Sequence, residues 1–121
     1  MEIGKVANSL LAELISDIEK RPEVLVGSKI GRDTSILDLE NNLLVVSTDP
    51  ITGASKNIGS LAINVAVNDL ATEGAEPVAA LLTVLLPPKT SEEELKNLMA
   101  DAKEAASKIN LTIIGGHTEV T

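Results

Sequence analysis

The 121-residue chain predicts an α/β (α+β) fold, a twisted mixed sheet with helices packed on one face. Three observations predict it. Residues 78–86, VAALLTVLL, are apolar on both sides of an extended chain and fit a strand covered on both faces. The segment after them carries Leu95, Leu98, Met99, Ala102, Ala105, Ala106 and Ile109 at helical spacing, and leads into a second short apolar run at 111–114. Upstream, the runs at 35–39 and 43–47 are separated by Glu40, Asn41 and Asn42, a hairpin signature.

Taken in order, Ala7, Leu10, Leu11, Leu14, Ile15 and Ile18 fall on one face of an amphipathic helix expected over residues 6–21 and ended by Pro22. Residues 23–35 then read as an extended lead-in and a turn, with Lys29 and Arg32 as basic groups. The hairpin follows, and its second strand runs into Asp49 and Pro50. A glycine-containing loop next delivers the chain into an apolar helix. That helix carries a polar stripe of Asn57, Ser60, Asn64, Asn68 and Thr72, three or four residues apart. Asparagine inside a helix competes for backbone hydrogen bonds, so such a stripe is either a solvated side or a face turned toward a cleft. Gly74 and Pro77 stop the helix. After the 78–86 strand and Pro87-Pro88, Ser91 with Glu94 gives a capping-box start to the last helix. Asn110 is the expected turn, and the final strand enters GGHTEVT.

The helices can cover one face of residues 78–86, so the other face requires a partner: a second copy packed sheet to sheet, or a following domain. On this reading Leu82→Asp or Val84→Asp weakens the association.

Composition excludes several functions. The formal charge is -8, and Phe, Tyr and Trp are absent, so neither a basic groove nor aromatic stacking is available for nucleic acid. Without cysteine there is no disulfide, thiolate nucleophile or sulfur-ligated metal. The N-terminal apolar residues are interrupted by Glu13 and Asp17, which fits neither a signal peptide nor a membrane span, and the expected location is cytoplasmic.

Asp33, Asp49 and Asp69 each follow an apolar element closely. Hard oxygen ligands drawn from separate elements suit Mg²⁺ shared with substrate phosphates, while helix caps and solvated loop acids are the plainer role. Gly115 and Gly116 permit a positive-φ turn or a close approach of backbone to a ligand, and neighbouring N–H groups can cradle phosphate. His117 and Glu119 complete the motif, with a hydrogen-bonded wall or plain surface groups as the alternative. No catalytic base is assigned.

In order, GRDTSILDL, LLVVSTDPIT, NIGSLAINVAVNDLATEGAEP, LLTVLLP and IIGGHTEVT make the chain resemble the N-terminal domain of the AIR synthase (PurM)-like superfamily. The similarity is greatest to its AIR-synthase-related and hydrogenase-maturation HypE-like branches. The resemblance implies an N-terminal helix and lead-in at 1–26 and an ATP-binding domain at 27–121, dimerised through the open sheet face into a β-barrel-like core. It further implies Mg²⁺ at Asp33, Asp49 and Asp69, and ATP contacts at Gly115, Gly116, His117 and Glu119, to which the stripe on the central helix adds Asn64 and Asn68. Arg32 stands where the family has the first acid of Gly-Asp-Asp, which removes one possible metal ligand. The implied parent has a C-terminal domain, absent from these 121 residues, and uses ATP to activate an amide, carbamoyl or phosphate-accepting substrate, a small molecule or a protein tail. The isolated domain is expected to be inactive. A non-catalytic dimerisation module is the rival reading.

Overall fold

A computed structural model describes residues 4–53 and 56–121. Residues 54 and 55, in the loop expected before the central helix, lie outside the described residues. The chain divides into two compact units, residues 1–48 and 49–121.

In the first unit, α1 (Asn8–Ile15) is half the expected length. Ala7 offers its first turn no side-chain cap, none of its residues is buried, and the Ser16 hydroxyl donates to the Glu13 carbonyl at 2.8 Å. A short helix with no fully buried side chain and no N-terminal side-chain cap does not propagate. Residues expected to be a lead-in contain β1 (Val24–Val26), which pairs antiparallel with β2 (Thr34–Asp38) across a register shift. β2 and β3 (Leu43–Ser47) form the expected hairpin, in register from Thr34 with Ser47 to Asp38 with Leu43. Its turn places Glu40, not an asparagine, at positive φ, and the Leu39 N–H donates to the Asn42 carbonyl at 2.8 Å.

The second unit contains α2 (Ile58–Thr72), β4 (Ala79–Leu86), α3 (Glu92–Lys108) and β5 (Thr112–Val120). Ser91 caps α3: its hydroxyl accepts from the Glu94 N–H, while the Glu94 carboxylate accepts from the Ser91 N–H at 2.6 Å. Both long helices end in a Schellman motif. Gly74 takes the left-handed position after α2 and Asn110 after α3. The paired bonds are Gly74 N–H to Ala71 O with Ala75 N–H to Leu70 O, and Asn110 N–H to Ser107 O with Leu111 N–H to Ala106 O. The second motif turns Leu111 into the core.

That core comprises Ile63, Ala102, Ala105, Ala106 and Leu111, with Val67, Ala80, Leu82, Ile109 and Ile113 packed around it. Alanine on α3 lets the helices approach closely, and Ala102 is 0% exposed. β4 and β5 pair in parallel with α3 as the crossover between them.

Two expectations change. The single mixed sheet becomes two sheets, β1-β2-β3 antiparallel and β4-β5 parallel. Short turns allow the first three strands to meander, whereas the helical crossover sets β5 parallel to β4. Residues 78–86 are covered by the helices on one side and open on the other, as expected, but Leu82 and Val84 do not lie on the open side. Val84 and Leu86 are buried and Leu82 is half-buried, but Leu81 is 74% and Leu85 61% exposed. Charge at Leu82 or Val84 therefore strikes the helix-covered side, and substitutions that probe the open side belong at Leu81 and Leu85.

Candidate functional site

In the first unit, Asp33 immediately precedes β2 and is exposed. Its carbonyl accepts a 2.8 Å hydrogen bond from the Ser47 hydroxyl at the end of β3, which ties the two strand ends together. The Arg32 N–H donates to the Lys29 carbonyl at 3.2 Å, closing the turn that holds Gly31 at positive φ.

The remaining candidates lie in the second unit. Asp49 is exposed at its start. On α2, Asn64 and Asn68 are exposed and Asp69 is half-buried, so the polar stripe does lie on the helix's open side. The Asn64 amide donates to the Ser60 hydroxyl at 3.4 Å, and the Ser60 backbone N–H donates to the Asp101 carboxylate at 2.7 Å. The Asp69 carbonyl accepts from the Thr72 hydroxyl at 2.7 Å.

Asp101 was not among the sequence candidates. The available signal was an acid one position from Ala102, on the border of the alanine face of α3.

Gly115 and Gly116 are not in a loop. Both are paired within β5, which runs on through His117 and Glu119 to Val120. The register shifts because Ala80 pairs with Ile113 but Leu81 with Gly115, leaving Ile114 as the extra residue of a bulge. The glycines take φ of 151° and 148°. A β-carbon on Gly116 would clash with the Leu82 carbonyl oxygen and lie 2.6 Å from the carbonyl carbon. The close approach expected toward a ligand is thus to the backbone of β4.

Past the bulge, Thr83 pairs with His117 and Leu85 with Glu119. Paired residues of adjacent strands share a face, so His117 and Glu119 stand on the open side with Leu81 and Leu85. His117 Nε2 lies 3.3 Å from Glu119 Oε2, both side chains being largely exposed.

The geometry therefore joins His117 to Glu119, and Asn64 through Ser60 to Asp101. Among the described residues, no group of three or more His, Cys, Asp or Glu side chains is assembled to hold a metal ion. A shallow groove between the end of α3 and the start of β5, lined by Lys103, Ser107, Asn110 and Thr112 among others, includes none of the candidates. Among the described residues no helix is long and apolar enough to cross a membrane.

The fold and the ordered motifs define a class that comparison with known proteins names. Residues 31–121 match the family model "AIR synthase related protein, N-terminal domain", and the chain belongs to that family. It is 28% identical over 127 aligned residues, 98% of this chain, to a putative hydrogenase expression/formation protein of Methanocaldococcus jannaschii, covering 37% of that protein. Among solved structures, AaThiL complexed with AMPPCP and TMP is similar over 93% of this chain and 36% of its own, with a TM-score of 0.73 and 20% identity, a likeness of fold. Hydrogenase maturation protein HypE in complex with ATP is similar over 92% of this chain and 34% of its own, at 27% identity and a TM-score of 0.54. The chain spans about a third of the length of the relatives it matches.

Proposed function

We propose that this chain is the ATP- and Mg²⁺-binding N-terminal domain of an AIR-synthase-related protein. The domain proper is residues 27–121, with 1–26 as an N-terminal helix and lead-in. The whole protein, completed by a C-terminal domain, uses ATP in the cytoplasm to activate an amide, carbamoyl or phosphate-accepting substrate, a small molecule or a protein tail. The observation that carries this reading is the similarity over nearly the whole chain to a HypE structure in complex with ATP. The AMPPCP complex of a second relative of the same fold points the same way.

Within this chain, the amides of Asn64 and Asn68 supply donors and acceptors for the nucleotide. Gly115 leaves the open side beside His117 and Glu119 free of side-chain bulk, while Gly116 lets β5 close onto β4. Asp33, Asp49 and Asp69 offer hard oxygen donors, the chemistry Mg²⁺ prefers. Mg²⁺ is usually held by one or two carboxylates and completed by phosphate and water, so an assembled cage of three acids is not required. When bound, the metal would neutralise phosphate charge. Calorimetric titration of the whole protein with ATP, with and without Mg²⁺, tests the reading. Metal-dependent binding is expected, and a folded protein that takes up no ATP under either condition contradicts it.

A second reading is a non-catalytic dimerisation module, favoured by the open apolar side of β4, where Leu81 is 74% and Leu85 61% exposed. Packing two such faces together in a homodimer, as a β-barrel-like core, would remove this surface from water. Leu85→Asp then shifts the sedimentation coefficient from dimer to monomer, and a wild-type monomer under the same conditions defeats the idea. A dimer that binds no ATP selects this reading over the first.

A further inference from the structure

We infer that Asp101 is a positioning residue for the amide stripe of α2. The nucleotide role of that stripe rests on the function proposed above. Asn57 occupies the N-cap position of α2 with φ of 54°, and its side chain accepts no capping hydrogen bond. The first turn of a helix leaves N–H groups unsatisfied, and one of these, on Ser60, is taken by a carboxylate forty-one residues away on α3. Asp101 thus does in trans what an N-cap side chain does locally.

This contact bears on the stripe because Ser60 is its first helical member. The residue held at its backbone by Asp101 presents its hydroxyl to the Asn64 amide, one turn further on. The chain Asp101, Ser60, Asn64 therefore fixes which way the Asn64 amide turns. Just beside it, Gly59 packs against α3 at Leu98 and Ala102. That close backbone contact sets the distance between the helices, and Ile63 in the core fixes which face of α2 turns inward, but neither holds the amide at the first turn in one direction. The charge-assisted hydrogen bond from Ser60 to Asp101 is directional and does so.

The test uses the whole protein with Asp101→Ala, which removes the acceptor, and Asp101→Asn, which retains an amide oxygen in nearly the same place. Three quantities are read: solvent exchange of the Ser60 amide proton, the side-chain ¹H–¹⁵N signals of Asn64, and the dissociation constant for ATP with Mg²⁺. In Asp101→Ala the exchange rate and the dissociation constant each rise about tenfold, the effect of losing one hydrogen bond to a charged group, and the Asn64 signals move. In Asp101→Asn all three return to near wild type, a rescue that general loss of packing would not give. Unmoved Asn64 signals in Asp101→Ala, or an asparagine variant no better than alanine, overturn the proposal. If wild-type protein binds no ATP, the nucleotide reading falls on that result alone. The exchange and Asn64 measurements still decide whether Asp101 orients the stripe.

Discussion

Gly59 of α2 lies so close to Ala102 of α3 that a β-carbon on the glycine would stand 2.7 Å from the Ala102 backbone nitrogen and 3.0 Å from its β-carbon. Backbone cannot rotate out of the way as a long side chain can. Gly59→Ala must push the helices apart, and it is expected to destabilise the protein by about 1–3 kcal/mol, the usual range for an overpacked core. Urea unfolding measures this directly. A midpoint equal to wild type shows that the helices do not approach as closely as described.

Gly116 and Gly115 make a contrasting pair. Both hold positive φ, but the space at Gly115 ends at the Leu81 Cδ2, 3.6 Å away, while that at Gly116 is filled by the Leu82 backbone. Both alanine variants strain the chain, and Gly116→Ala is the more damaging because the pairing of β5 with β4 must also open. Unfolding midpoints rank them, and equal losses refute the difference in space.

The capping box gives α3 an acid-sensitive start. Hydrogen bonds from the Ser91 backbone N–H and hydroxyl hold the Glu94 carboxyl below its ordinary value of 4.5. A carboxyl depressed on folding contributes stability that is present above its unfolded value and lost as pH falls through the folded one. Unfolding midpoints compared between about pH 6 and pH 3 should therefore converge for wild type and Glu94→Gln at the acid end, because the glutamine bonds the same N–H without a charge to lose. A constant difference across that range removes Glu94 from the account of acid sensitivity.

Asp49→Asn and Asp69→Asn separate chemistry from scaffolding. Either change removes a charge while nearly preserving shape, so melting should move little, and affinity for ATP with Mg²⁺ should fall about tenfold or more if the carboxylate meets the metal. A lowered melting temperature with unchanged ATP affinity in both variants assigns the two acids to structure.

Much of the second unit was legible because its signals are local. Ser91 and Glu94 sit three residues apart, Gly74 closes one helix, and the alanine face of α3 repeats every turn. The errors arose where the deciding partner is distant or packing is missing. Apolar spacing overextended α1, since spacing cannot tell whether a helix finds a surface to bury. The Gly115-Gly116 pair advertised a permissive backbone, but only the register with Leu81 and Leu82 reveals the chain that comes near. The strand 78–86 looks equally apolar on both sides, and which leucines point outward depends on pairing with β5. Asp101 reads as an ordinary surface acid until Ser60 is placed beside it.

The parallel pairing of β4 with β5 constrains the order in which the second unit folds. Ala79 cannot meet Thr112, nor Leu86 meet Val120, until the chain has turned back across the whole length of α3. Closing so long a loop loses entropy before any ladder bond is made, whereas the α3 turns and both of its caps involve neighbouring residues. Helix α3 should therefore be substantially formed at the rate-limiting step. Substitutions at Ser91 or Ala102 should then slow refolding, and those in the distal half of β5, such as Thr118→Ala, should act mainly on the unfolding rate.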